Sequence, residues 1–235
     1  MELDGKLSGF ILKKAVKSAG ALISLALLLF MLAGTIHVVG LWIYFFVAIS
    51  YQFISLFIIV PRYPTFIDLD EARRAKHPDA KKWDKVLLWL LAVATFVMYC
   101  LAALELGHLH VGHLSVWFII PGVILYIFSS MLNQWAMIHN PHFEREVRVQ
   151  VEREHRVITT GPYSYIRHPG YLGSVIFYLS FPLMCGSVLA LCGSTLGITG
   201  ILIRTKLEDG TLRDELIGYA DYAEQVRYRL VPYVW

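Results

Sequence analysis

Charge is scarce in this chain of 235 residues: only 17% are Asp, Glu, Lys or Arg, while 57% are hydrophobic and the mean hydropathy is +0.56. Soluble domains carry roughly 25% charged residues, so an ordinary soluble domain is excluded. Cysteine is sparse too. Cys100, Cys185 and Cys192 lie in apolar stretches with no metal-ligand spacing, and read as small buried hydrophobes rather than a disulfide framework. No short repeat or heptad is present, and 14% aromatics exclude disordered, collagen-like and coiled-coil classes. The chain lacks GxGxxG after a strand, GxxxxGK(S/T), HExxH and GxSxG, so a soluble nucleotide-binding domain is not available. A net charge of +3 is too small to imply nucleic acid. No linker or low-complexity tract divides the chain, and no small-x-small cleavage site follows the first apolar block, so no secretory signal is expected.

What is abundant is long apolar sequence. A membrane-crossing helix needs about 20 mostly apolar residues. Four blocks qualify: Ser18–Gly34, Val38–Val60, Val86–Leu104 and Leu114–Ile138. A fifth, Tyr171–Ile203, is too long for one span and carries Pro182 and Cys185-Gly186-Ser187 near its middle. It reads as a helical hairpin with arms Tyr171–Met184 and Ser187–Ile203. The expected fold is therefore all-α, a polytopic transmembrane bundle of about six spans, or five if the hairpin only re-enters the membrane.

The basic residues orient that bundle. Four precede the first span, seven lie in the 61–85 loop, five in the 139–170 loop and five after the last arm, accounting for all 21. The intervening short loops have none. Lys and Arg collect on the cytoplasmic side, so both termini and both long loops should be cytoplasmic, which requires an even number of spans. Residues 1–138 read as four scaffold helices with a basic loop at 61–85, and residues 139–235 as the functional part of one structural domain. The run Lys81-Lys82-Trp83-Asp84-Lys85 reads as an anchor at the anionic leaflet.

Polar residues concentrate in three places. His108, His110 and His113, after Glu105, match no common helical ligand spacing, and no metal is expected there. The stretch from Gly161 to Gly173 holds two prolines, three glycines and three tyrosines, a rigid irregular backbone with aromatic walls. It suits either an interfacial turn anchored by tyrosines, with Arg167 reaching head groups, or the lining of a cavity. Arg204 and Glu208, spaced i, i+4, share a helix face, as an intrahelical ion pair or as a charged pair facing a pocket. Tyr219, Tyr222 and Val226 recur at helical spacing and read as packing.

The residues Asn140…Gln150…His155-Arg156-Val157-Ile158-Thr159-Thr160-Gly161-Pro162-Tyr163…Arg167-His168-Pro169-Gly170-Tyr171, followed by Arg204-x-x-x-Glu208-Asp209, resemble the isoprenylcysteine carboxyl methyltransferase family. These are integral-membrane enzymes related to phospholipid N-methyltransferases. The likeness covers about residues 130–235 and looks closest to prokaryotic members. It implies S-adenosylmethionine bound in a cytoplasmic pocket built by the C-terminal third. Cofactor contacts would come from Gln150, His155, Arg156, Val157, Ile158, Tyr163, His168, Pro169, Tyr171 and Glu208. Arg204 would orient the acceptor carboxylate where cofactor and acceptor meet. Gln150 stands two residues nearer His155 than in the eukaryotic pattern, and Asp209 stands where Glu is usual. The resemblance implies a lipophilic acceptor drawn from the bilayer, with a prenylated cysteine carboxylate first. Phospholipid amine and small-thiol methylation are the alternatives, and a scaffold or transporter the non-enzymatic ones. Membrane lipids are the expected surroundings, in a bacterial or archaeal cell membrane or the endoplasmic reticulum of a eukaryote.

Overall fold

The computed structural model describes residues 2–63, 65–72, 79–109 and 114–235. It is all-helical: α1 (Glu2–Ala33), α2 (Val39–Ile54), α3 (Thr65–Ala72), α4 (Lys82–Leu104), α5 (Ile119–His139), α6 (Pro169–Cys185), α7 (Val188–Glu215) and α8 (Tyr219–Gln225), with no strand among the described residues. Five of these helices, with their short π and 3₁₀ extensions, are long and apolar enough to cross a membrane: Leu7–Ala33, Val39–Arg62, Lys82–Leu109, Val116–His139 and Val188–Glu215. α6 is apolar but has only 17 residues, so the six-span expectation stands at five spans plus one short helix. The outer faces carry exposed Leu27, Phe46, Trp89, Phe96, Ile124 and Phe128, the pattern of a surface meant for lipid. Cys192 lies on an exposed face rather than in the core, unlike Cys185.

The last apolar block folds as the hairpin that its turn residues suggest. Pro169 opens α6 at a position where its missing N–H costs nothing. Gly186, at φ +73°, closes the helix in a left-handed conformation that a side chain would strain. Ser187 then caps α7 by accepting from Ala190 N at 3.0 Å. Inside α6, Pro182 cannot donate to the Tyr178 carbonyl. Ser194 Oγ of α7 donates to it instead at 2.6 Å, which repairs the gap across the helix pair.

Glycines let the functional helices approach closely. A Cβ on Gly193 of α7 would lie 2.7 Å from the Met98 Cα of α4, and one on Gly173 of α6 would meet the Asn133 amide of α5 at 2.2 Å. The core between them centres on Phe181, which packs edge-on against Tyr44 and Tyr99. Far from the basic end, Glu105 accepts from Ser187 Oγ and from Leu189 N, pinning the α6–α7 turn.

Candidate active site

Three hubs of charge organise the basic end of the bundle. The first is Asp209 on α7, with no exposed surface. It accepts from Arg167 Nε at 2.7 Å, Arg229 Nε at 2.9 Å and Tyr219 Oη at 3.0 Å. Arg167 Nη1 also donates to the carbonyls of Val226 and Arg227. The Arg of the Arg-His-Pro run therefore clamps the C-terminal segment onto α7 rather than reaching for head groups. Tyr219, Tyr222 and Ala223 pack with Leu216 beside it, as their spacing suggests.

The second hub is Arg148, which donates to Glu144 from Nε at 2.9 Å, and to Asp79 and Glu152. These carboxylates outweigh the desolvation of its guanidinium and raise its pKa further. The 140–155 segment is thereby fixed over the helix ends. The third hub is Asp84. It was read as part of a basic anchor, yet α4 begins at Lys82 and places Asp84 in the first turn with no exposed surface. Asp84 accepts from Val147 N at 2.8 Å and from Arg204 Nε and Nη2 at 2.7 and 3.1 Å.

Between the hubs lies a cavity of about 110 Å³ whose wall includes Gln150, His155, Tyr163, His168, Pro169, Tyr171, Arg204 and Glu208. All eight were singled out from sequence. Arg156, Val157 and Ile158 stand outside that wall: Arg156 is exposed and Val157 packs toward the Leu216 cluster. Tyr171 Oη donates to Glu208 Oε2, and the His168 ring stacks on Tyr171 at 5.6 Å. Arg204 sits over the Tyr171 ring at 5.2 Å. Although Arg204 and Glu208 share a face, they choose different partners: Arg204 pairs with α4 and Glu208 with α6.

Other wall residues, His142 and Glu146 among them, were not singled out as site residues. His142 is buried, its Nδ1 has no partner among the described residues, and its ring stacks on His155 at 4.4 Å. Burial lowers the pKa of both, with the neighbouring imidazole and Arg148 helping to bring His155 down to about 4. Two neutral imidazoles therefore face the cavity near neutral pH. Gln150 is fully buried, donating to the His142 carbonyl at 2.8 Å and accepting from Arg153 at 2.9 Å. Asn140 donates to Tyr163 Oη at 3.2 Å. Glu146 also lines the cavity. Only a cavity or a long-range partner distinguishes these residues, and local spacing carries neither. Of the histidine loop, His110 and His113 lie outside the described residues. His108 bonds the Leu32 carbonyl at 3.0 Å, and no group of three metal-binding side chains occurs among the described residues.

Carboxylates, aromatic faces and an unpaired imidazole nitrogen suit a cationic ligand with hydrogen-bonding groups. The volume is below the roughly 300–1,000 Å³ of ligand pockets, so side chains of the wall must swing aside to admit one. A second, larger cavity of about 580 Å³ lies deeper, between α1–α7, with Tyr51, Thr95, Asn133, Gln134, Ser174 and Tyr178 in its wall. Ser174 and Tyr178 lie one and two turns beyond Tyr171 on α6, so the two cavities follow the same helices.

A membrane-spanning helical bundle with a polar, aromatic-walled cavity at its basic end is the class that fold and site define. Residues 122–214 match the model of the isoprenylcysteine carboxyl methyltransferase (ICMT) family. A probable protein-S-isoprenylcysteine O-methyltransferase of Oryza sativa subsp. japonica is 28% identical over 123 residues, half of this chain and 63% of the rice protein. The protein-S-isoprenylcysteine O-methyltransferase of Xenopus laevis is 30% identical over 81 residues, 34% of this chain and 28% of the frog protein. A mouse protein named delta(14)-sterol reductase TM7SF2 is 32% identical over 83 residues, 34% of this chain and 20% of that protein. The chain thus spans less than two thirds of the curated relatives it matches. A relative named for reduction also shares sequence with the chain, so the reaction must be argued from the site.

Proposed function

We propose that this chain is an S-adenosylmethionine-dependent membrane methyltransferase, with the carboxylate of a prenylated cysteine as its first acceptor. The observation that carries the reading is the convergence of Tyr171, Glu208 and Arg204 on one cavity that also holds His168, Tyr163 and Gln150. Residues 139–235 supply most of that wall, and the helices before them the scaffold. The basic end would face the cytoplasm, with α6 completing a sixth crossing.

When bound, the cofactor supplies an electrophilic sulfonium methyl. The chain's own task is to bind, align and exclude water. Tyr171 and Tyr163 offer ring faces to a cation. Glu208, braced by the Tyr171 hydroxyl, offers a carboxylate to an ammonium or a ribose. His142 Nδ1 offers a buried hydrogen-bonding position. Neutral His142 and His155 add no repulsion toward a positive ligand. Arg204, held by Asp84, presents positive charge to an anionic acceptor, which needs placement and no general base. The second cavity, with Ser174 and Tyr178 of α6 in its wall, would take the apolar tail of such an acceptor.

An amine acceptor would need a base, and Glu146 is a carboxylate in the wall with no hydrogen bond or ion pair among the described residues. The test is calorimetric binding of S-adenosylmethionine and S-adenosylhomocysteine in lipid nanodiscs, followed by an acceptor screen. Wild type should bind both, and Tyr171→Ala and Glu208→Ala should each weaken binding about tenfold or more, in line with losing a charged or aromatic contact. N-acetyl-S-farnesylcysteine should become a base-labile methyl ester, and Glu146→Gln should leave that reaction intact. No binding by folded protein overturns the methyltransferase reading. Methylation of amine lipids alone, lost in Glu146→Gln, replaces the carboxylate with an amine.

A further inference from the structure

Arg204 uses one edge of its guanidinium and leaves the other nitrogen free. Nε donates to Asp84 Oδ1 at 2.7 Å, and Nη2 donates to Asp84 Oδ2 at 3.1 Å and to the Arg145 carbonyl at 2.5 Å. All the hydrogens on those two nitrogens are spent. Nη1 makes no hydrogen bond among the described residues, and the arginine lines the cavity beside Tyr171 and Glu208. The edge that would grip a carboxylate with two parallel bonds is already gripping one.

We propose that Asp84 masks the Nε–Nη2 edge of Arg204, so that an acceptor carboxylate is held through Nη1 by one oxygen while its second oxygen stays free to attack. This rests on the carboxylate reading above. In the transfer, a lone pair of the free oxygen forms the O–CH₃ bond as the S–CH₃ bond breaks. The S–C pair goes to sulfur, leaving a neutral thioether and a methyl ester, and no proton moves. A carboxylate clamped through both oxygens would bind tightly but attack poorly, because both oxygens would be donating electron density to an N–H and neither would be free to approach the methyl. Asp84 is thus a positioning residue. It stands on α4, outside the segment that matches the family model, and also takes Val147 N to fix the wall beside the cavity.

The mask predicts a signature that a merely structural ion pair does not give. Asp84→Asn removes the competing charge and frees part of the fork. KM for N-acetyl-S-farnesylcysteine should fall about 3- to 10-fold while kcat falls about 10-fold or more, the pattern of a stabilised ground state. Asp84→Glu, which restores a masking carboxylate, should recover most of kcat. Calorimetry with S-adenosylhomocysteine reports whether each variant keeps a folded cofactor pocket. Where Asp84→Asn does not fold, Arg204 decides the matter. Arg204→Lys supplies one nitrogen and should keep kcat within about tenfold of wild type, whereas Arg204→Gln should lose about 100-fold or more. A raised or unchanged KM in folded Asp84→Asn, or equal loss in the Lys and Gln variants, overturns the mask alone. Absence of ester from wild type that binds S-adenosylhomocysteine overturns the carboxylate reading, and the mask with it.

Discussion

At the scale of single residues, this bundle places its charges in clusters that no local pattern announces. Arg204 and Glu208 are spaced for an ion pair on one helix, an arrangement worth only a few tenths of a kcal/mol. Buried beside α4, Arg204 takes Asp84 instead, at a separation of 120 residues. Breaking such a buried pair by deleting one partner costs about 3–5 kcal/mol, so the long-range choice prevails. Asp84 follows Lys81 and Lys82 and precedes Lys85, and in that company its sequence suggests only an interfacial anchor. The aromatic and histidine residues of the 150–171 stretch were legible as a wall because they sit in one short motif. His142, Glu146 and Arg148 were not, since their roles come from what folds over them. The stacked imidazoles give a pH signature. Both folded pKa values lie below the free value near 6.5, so the unfolded chain takes up protons first. Their contribution to stability is complete above about pH 6.5 and is lost as pH falls toward about 4. Thermal unfolding from pH 7.5 to 4.5 should show a declining midpoint in wild type and a shallower decline in His155→Phe. Identical slopes would refute this role for the pair.

At the scale of elements, the apolar blocks translate almost directly into helices, because a bilayer demands uninterrupted runs that soluble cores do not. The hairpin turn was equally plain from Pro182 and Gly186. Starting points were less so: α1 reaches back to Glu2 and α4 to Lys82, each absorbing charged residues that hydropathy assigns to loops. A helix extends past the apolar run when its polar first turn finds partners, as Asp84 does with Val147 and Arg204. The α4–α7 pair is where such a register is enforced, at the contact of Gly193 with Met98. Gly193→Val should force these helices apart at about 1–3 kcal/mol. Because Asp84 and Arg204 ride on the same two helices, the proposed methyl transfer should fall as well. Thermal stability and turnover measured together check this, and unchanged values in both would show that the contact yields without strain.

At the scale of the whole molecule, helix directions alternate through α1, α2, α4, α5, α6 and α7, and the basic residues gather at one end. A crossing by α6 brings both termini to the same side, as the charge distribution requires. Its 17 residues span about 25 Å at 1.5 Å each, a little short of the hydrocarbon thickness, so the bilayer should thin locally around the hairpin. Single cysteines introduced at the exposed positions Ile36, Val188 and Tyr233 of a cysteine-free variant, probed with a membrane-impermeant maleimide, test this. Ile36 and Val188 should label from one side and Tyr233 from the other. Labelling of Ile36 and Tyr233 from the same side, with Val188 from the opposite one, would leave five crossings.

The tie between Asp84, Val147 and Arg204, reinforced by the Lys81–Glu215 ion pair at 2.5 Å, joins the two halves of the chain at the edge of the cavity. Residues 122–214 can be recognised as a family segment, but they are not a portable cassette. A hybrid that grafts the C-terminal half of this chain onto a relative's leading helices would inherit Arg204 without its counter-ion, unless the splice falls before Lys81. The seam for recombining such proteins therefore lies upstream of α4, some forty residues before the boundary that sequence similarity alone would suggest.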